Sequence, residues 1–257
     1  MFPDARDYYA RRSGVYDRET SKRRDARWPQ RQTLSRLLRE SLEAQSGGLL
    51  LDVGIGTGRV ERALSIPRTW RVLGVDASES MARRATQELE ATDLDVHVVV
   101  GDAHRLPVAS HCADLVVCVS VLQYLRLDEA LGEIARCTKP GGRILSGVVM
   151  RHEKDVLNWR RNAFLEDEHA QLREYRSSVE VVTAMRHAGV EIDHLEVVTF
   201  RRLFRDIAAD RRLLDPGFDV SGLMNIVATA SPDLRDMYEI DGDGFTQHYG
   251  VFTGSLG

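Results

Sequence analysis

The sequence predicts an α/β fold: a doubly wound, mostly parallel, seven-stranded sheet with an N-terminal helical lid and an insertion before the last strand. Three observations predict it. Short continuous apolar runs alternate with segments of helical periodicity, as in a parallel sheet covered on both faces. A glycine-rich loop, Gly54-Ile55-Gly56-Thr57-Gly58, stands directly between the first apolar run and the helix after it. A Pro140-Gly141-Gly142 turn opens a fifth strand.

Residues 27–45 read as a helix, with Leu34, Leu37, Leu38 and Leu42 at three- and four-residue spacing. Strands follow at Gly48–Val53, Arg71–Val75, Val96–Val100, Asp114–Val119 and Arg143–Val149. Helices are expected at Gly58–Leu64, Ser80–Leu89 and Leu127–Cys137. After residue 150 the rhythm changes. Residues 152–172 read as a polar helix, Ser177-x-x-Glu180 as a capping box and Gly189 as a helix stop. Strands are read at Leu195–Phe200 and Thr246–Thr253, around an irregular or helical insertion at 203–243. The 257 residues form one domain: a lid over 1–46, a core over 47–150, and substrate-capping insertions with the last strands over 151–257.

Composition narrows the function. The net charge of -4 argues against a generic nucleic-acid coat. Residues 1–40 nevertheless carry eleven Arg and Lys against six acids, a local +5, leaving about -9 on the rest. That stretch reads as a solvated helical face or as a basic lid that meets an anion. Cys112, Cys118 and Cys137 form no ligand or disulfide pattern and are expected reduced, mostly buried. No His and carboxylate cluster has metal-ligand spacing, so no metal is expected. The first 30 residues are charged throughout, and no apolar run reaches membrane length. A cytoplasmic protein is expected, with no membrane or nucleic-acid partner. The 203–243 insertion is a candidate lid or homodimer surface.

The chemistry concentrates at Asp52–Arg59. Glycines let a backbone turn sharply and approach a ligand closely, and the strand-to-helix position is the ligand edge of a doubly wound sheet. The loop alone leaves a dinucleotide and S-adenosylmethionine (SAM) both open. The third glycine comes one residue earlier than in GxGxxG, with Arg59 at the dinucleotide position. Asp76 ends the second strand, where a carboxylate can accept from ribose hydroxyls. Asp102 follows the third strand and can accept from an exocyclic amine.

With LLLDVGIGTGR (49–59), VLGVDASESM (72–81), VVVGDAHRLPV (98–108), ADLVVCVSVLQYL (113–125) and KPGGRIL (139–145), the chain resembles the class I SAM-dependent methyltransferases. The resemblance is to the subgroup with small-molecule and quinone-biosynthesis members, and covers about 100 residues in order. It implies a Rossmann-like core with SAM as cofactor. Asp52 and the loop at Gly54, Gly56 and Gly58 would hold the methionine part. Asp76 would bind ribose, Ala77 and Met81 would line adenine, and Asp102 and the Ala103 amide would bind its polar edge. Val119 and Ser120 would lie beneath the sulfonium.

Methyl transfer from a sulfonium demands alignment and exclusion of water more than proton chemistry. A weak base signature is therefore expected. The segment after the fourth strand has Tyr124 where the family often has His. Tyr124 reads as a substrate-holding hydroxyl or a packed aromatic. Tyr8, Tyr9 and Val15-Tyr16-Asp17 look like the family's closing N-terminal segment, with Tyr16 a candidate partner for the SAM carboxylate or the substrate. Trp28 and Arg31 are read as its continuation or as surface residues. His152, just past the fifth strand, is the first choice among histidines for a base and otherwise a solvent-exposed His. The function expected is methylation of O or N of a small molecule in secondary metabolism. The alternative is a SAM-binding enzyme catalysing rearrangement, elimination or decarboxylation. A macromolecular substrate is disfavoured by the absence of RRM, KH, zinc or OB signatures.

Overall fold

The structure is a computed structural model. It describes residues 5–16, 28–64, 66–159, 173–212, 217, 221 and 228–257. Asp17, most of the expected 152–172 helix and much of the 203–243 insertion lie outside these residues.

Seven strands form one sheet: β1 (Gly48–Val53), β2 (Trp70–Asp76), β3 (Asp95–Val100), β4 (Ala113–Val119), β5 (Thr138–Met150), β6 (Val190–Leu203) and β7 (Gly244–Leu256). Their spatial order is β3-β2-β1-β4-β5-β7-β6. The first five pair in parallel. β7 runs antiparallel between β5 and β6, so the sheet is mostly parallel, as expected. The chain leaves β1 for β2 and β3 on one side and returns for β4 and β5 on the other. The order therefore reverses between β1 and β4, and the crevice beyond the carboxyl ends of those strands is where such sheets bind ligands.

The described helices are α1 (Ala5–Arg12), α2 (Trp28–Glu43), α3 (Arg59–Ala63), α4 (Glu79–Leu89), α5 (Leu127–Cys137), α6 (Ser178–His187), α7 (Phe204–Arg211) and α8 (Pro232–Tyr238). The central strands are apolar at consecutive positions because both faces are buried. Leu115 and Val117 of β4 pack with Leu37, Leu38 and Leu42 of α2 on one face. Val116 and Cys118 pack with Leu127, Leu131 and Ile134 of α5 on the other. The three cysteines are free, with Cys118 and Cys137 buried and Cys112 half-buried.

The capping box forms as the sequence predicts. Ser177 Oγ accepts from the Glu180 amide at 3.3 Å, and Glu180 Oε2 accepts from the Ser177 amide at 2.7 Å. Gly189 follows α6 at φ +84°, the left-handed helix stop. The expected turn at Pro140-Gly141-Gly142 lies inside β5 rather than before it. Pairing with β4 jumps from Ala113 opposite Thr138 to Leu115 opposite Arg143. The extra β5 residues loop out as a bulge, with Gly141 at φ +72°. β6 is also longer than its apolar segment suggests, because ladder bonds to β7 extend through its alternating polar residues.

Part of the insertion before β7 builds a small separate core. Trp159, Phe204, Ile207, Tyr238 and Phe245 are buried together there.

Candidate active site

The glycine loop is pinned to the end of β2. The Gly54 and Ile55 amides donate to the Val75 carbonyl at 2.7 and 3.2 Å. The Gly56 amide donates to Asp76 Oδ2 and the Ser78 amide to Asp76 Oδ1, both at 2.9 Å. One carboxylate thus ties the loop to the start of α4. Gly54 has φ +80°, and a Cβ there would overlap Val121 of the segment after β4. Gly56 has φ +60°, and a Cβ there would meet nothing nearer than the Gly54 carbonyl at 4.0 Å. Gly56 is therefore the loop residue whose missing side chain leaves open space.

That space is a cavity of about 790 Å³, counted to its mouth, at the β1–β4 switch point. Gly54, Gly56, Asp76, Ala77, Met81, Asp102, Ala103 and Val119 line it, along with Ser120, Tyr16 and Tyr124. Three predicted residues do not. Asp52 is buried beneath the loop, because strand alternation turns Val53 toward the cavity and Asp52 away. Gly58 packs toward Leu89, whose Cδ1 would lie 2.8 Å from an added Cβ. His152 also lies outside the wall. Its ring stands 5.2 Å from that of His248, and its amide donates to the Tyr238 hydroxyl at 2.9 Å. That hydroxyl donates onward to the buried Asp155 at 2.8 Å.

Electrostatics differ among the acids. Burial pushes the Asp76 carboxyl up, opposed by its two amide donors. Burial acts upward on Asp102 too, but the His104 amide and ring and the Arg6 charge hold it below the usual range. His104 Nε2 accepts from the Arg126 amide at 3.0 Å. The ring proton therefore sits on Nδ1, 2.7 Å from Asp102 Oδ1. Burial drives Asp52 far up, reinforced by Glu61 and then Asp76. Glu61 is raised by burial as well.

Part of the cavity wall is aromatic. The Tyr9 and Tyr124 hydroxyls lie 2.6 Å apart, and Arg173 Nε donates to Tyr124 at 2.7 Å. Ser120, at the carboxyl end of β4, has φ +62° and its Oγ lies 2.9 Å from the Tyr249 hydroxyl. Sequence reasoning missed Arg6, Arg173 and Tyr249. Nothing local marks them, since each reaches the site only through the fold.

Residues sufficient for SAM are present. Gly56 leaves room for a close ligand, Asp76 and Asp102 offer carboxylates at the ends of β2 and β3, and Met81 and Ala77 supply an apolar wall between them.

A methyltransferase-domain family profile matches residues 51–146. A malonyl-[acyl-carrier protein] O-methyltransferase of Methylovorus sp. is 30% identical over 208 residues, covering 77% of this chain and 67% of the relative. The YcgJ protein of Bacillus subtilis superposes with a TM-score of 0.71 at 20% identity, covering 88% of this chain and 98% of the other. The [4+2]-cyclase SpnF superposes with a TM-score of 0.64 at 22% identity, covering 87% of this chain and 80% of the other. With the five sequence motifs in register and the cavity at the switch point, the chain belongs to the class I SAM-dependent methyltransferases, with SAM as its cofactor.

Proposed function

We propose that the protein methylates an oxygen or nitrogen of a small molecule in secondary metabolism, in one domain. The observation that carries this is a cavity lined by two unlike sets of residues. Asp76, Asp102, Met81 and Gly56 are one set; Tyr9, Tyr16, Tyr124 and Ser120 are the other. The first suits the cofactor and the second an acceptor.

In this reading Asp76 accepts from the ribose hydroxyls, Ala77 and Met81 enclose adenine, and Asp102 with the Ala103 amide reads its edge. Gly54 and Gly56 give room to the methionine part, while Asp52 and Gly58 support the loop from below. When bound, SAM supplies a methyl group already activated by the sulfonium charge. The chain's part is to align the acceptor and exclude water. Tyr124 orients the acceptor through its hydroxyl, and Tyr16 closes the mouth beside Arg59, whose guanidinium lies 5.9 Å from its ring. The relative's printed substrate, a carrier-bound malonyl group, is consistent with O-methylation.

Calorimetry with SAM and S-adenosylhomocysteine (SAH), followed by an SAH-release assay against candidate acceptors, tests the proposal. SAH formed one-for-one with methylated product supports it.

The second reading is SAM-dependent chemistry without methyl transfer. Its support is the fold shared with the SpnF cyclase and the absence of His and carboxylate from the described tyrosine set. Product formation with SAM left intact would favour it.

A further inference from the structure

We propose that the acceptor is bound as an anion, a carboxylate converted to its methyl ester, selected by Tyr9 and Tyr124 with the Arg173 guanidinium behind them. This rests on the methyl-transfer reading above.

The cavity lining carries both signs of charge, with Arg6 acting on Asp102. Its described carboxylates, Asp76 and Asp102, stand at the ends of β2 and β3. The tyrosine part of the wall is backed by arginine. The Arg173 guanidinium lies 5.3 Å from the Tyr124 ring centroid while its Nε donates to the hydroxyl. Arg12 is buried, donates to Tyr8, and its charge acts on Tyr9. A guanidinium is permanently charged and cannot accept a proton. Phenol hydroxyls backed by such groups present a positive face to whatever enters.

The fold holds this wall in place. The Glu174 amide donates to the Gln123 carbonyl at 2.7 Å, and Arg176 Nη2 donates to the Leu125 carbonyl at 3.2 Å. Residues 173–176 are thereby strapped across the short 3₁₀ turn Leu122–Tyr124. Arg173 and Tyr124 move as one unit, so Arg173 acts as a positioning residue through Tyr124.

Charge and proton balance single out a carboxylate. An amine arrives mainly as ammonium at neutral pH and must lose a proton, and this wall repels its charge. A carboxylate is already ionised. Its oxygen forms the O–CH3 bond as the C–S bond breaks, the bonding pair stays on sulfur, and no proton is released. Opposite charges vanish together, which a water-poor site favours.

The test is calorimetry on the full chain saturated with SAH, titrated at low ionic strength with benzoate, benzylamine and benzyl alcohol. Benzoate is expected to bind at least about tenfold tighter than the other two, the scale of one charge-assisted hydrogen bond. Arg173→Met is expected to weaken benzoate about tenfold, with Arg173→Lys intermediate and SAH affinity unchanged within about twofold. If Arg173→Met fails to fold, Tyr124→Phe carries the same expectation. Benzylamine or benzyl alcohol binding as well as benzoate overturns the proposal, as does no benzoate binding or undiminished benzoate affinity in the variants. Proportional loss of SAH affinity also overturns it, since the charge would then serve the cofactor carboxylate. Failure of the wild-type protein to bind SAH would instead sink the methyl-transfer reading, and this inference with it.

Discussion

Glu61 faces Asp52 in the core beneath the glycine loop, and both carboxyls are shut off from solvent. Neither Glu61 side-chain oxygen has a hydrogen-bond partner among the described residues. Burial disfavours the charge on each carboxyl, and the two would repel as carboxylates, so the pair takes up protons more readily than in the unfolded chain. The groups around it are Asp76 from β2, Cys118 from β4 and Arg62 from α3. Both carboxyls are raised above their ordinary values of 3.8 and 4.5. The native state therefore binds more protons than the unfolded state above about pH 4, and stability falls as pH rises through the raised values. Glu61→Gln keeps the volume and gives Asp52 an N–H donor. It should stabilise the protein by about 1 kcal/mol at pH 8 and by nearly nothing at pH 4.5. Urea unfolding at both pH values checks this; a gain independent of pH would contradict the raised carboxyls.

Gly54 and Gly132 should respond in opposite ways to alanine. Gly54 combines a left-handed φ with a Cβ position already filled by Val121. Gly54→Ala should cost about 2 kcal/mol or more and displace the loop, with SAH affinity falling at least about tenfold by calorimetry. Gly132 lies within α5, is exposed, and has no atom within 4 Å of an added Cβ. Gly132→Ala should raise stability by about 0.5–1 kcal/mol and leave SAH binding unchanged.

Asp76→Asn removes the charge and one of two acceptor oxygens. Either the Gly56 or the Ser78 amide loses its partner. SAH affinity should fall by about 1.5–3 kcal/mol, roughly ten- to more than a hundredfold. Because burial raises the Asp76 carboxyl, wild-type affinity should also decline as pH falls through that raised value. Calorimetric titrations at a series of pH values would show both effects, and a variant with wild-type affinity would remove Asp76 from cofactor binding.

Tyr238→Phe should destabilise the insertion. Its hydroxyl links the His152 amide to the buried Asp155, and Asp155 also accepts from the Trp159 amide at 2.9 Å. Removing the hydroxyl leaves Asp155 short of a donor, at a cost of about 1–3 kcal/mol. Hydrogen exchange should report faster opening around Trp159 and α8 than in the central strands. An unchanged exchange pattern would show that Asp155 finds another donor.

The sequence by itself determined the parallel core, the switch point and one part of the cavity wall. Gly54, Gly56, Asp76, Ala77, Met81, Asp102 and Ala103 all stand at or just past the ends of β1, β2 and β3, where strand, turn and helix signals are contiguous. Motif membership did not tell which residues face the cavity. Strand alternation buries Asp52, close packing on Leu89 takes Gly58 out of the wall, and His152 turns toward Tyr238 and His248. The Pro-Gly-Gly turn likewise became a bulge because β5 pairs with β4 on both sides of it. Only the tertiary structure decided the tyrosine part of the wall. Tyr9 and Tyr124 are 115 positions apart, and Arg173 lies 49 beyond Tyr124. Their meeting depends on α1 and the 173–176 strap both crossing the carboxyl edge of the sheet, and long-range packing of that kind leaves no periodicity or spacing in the chain to read.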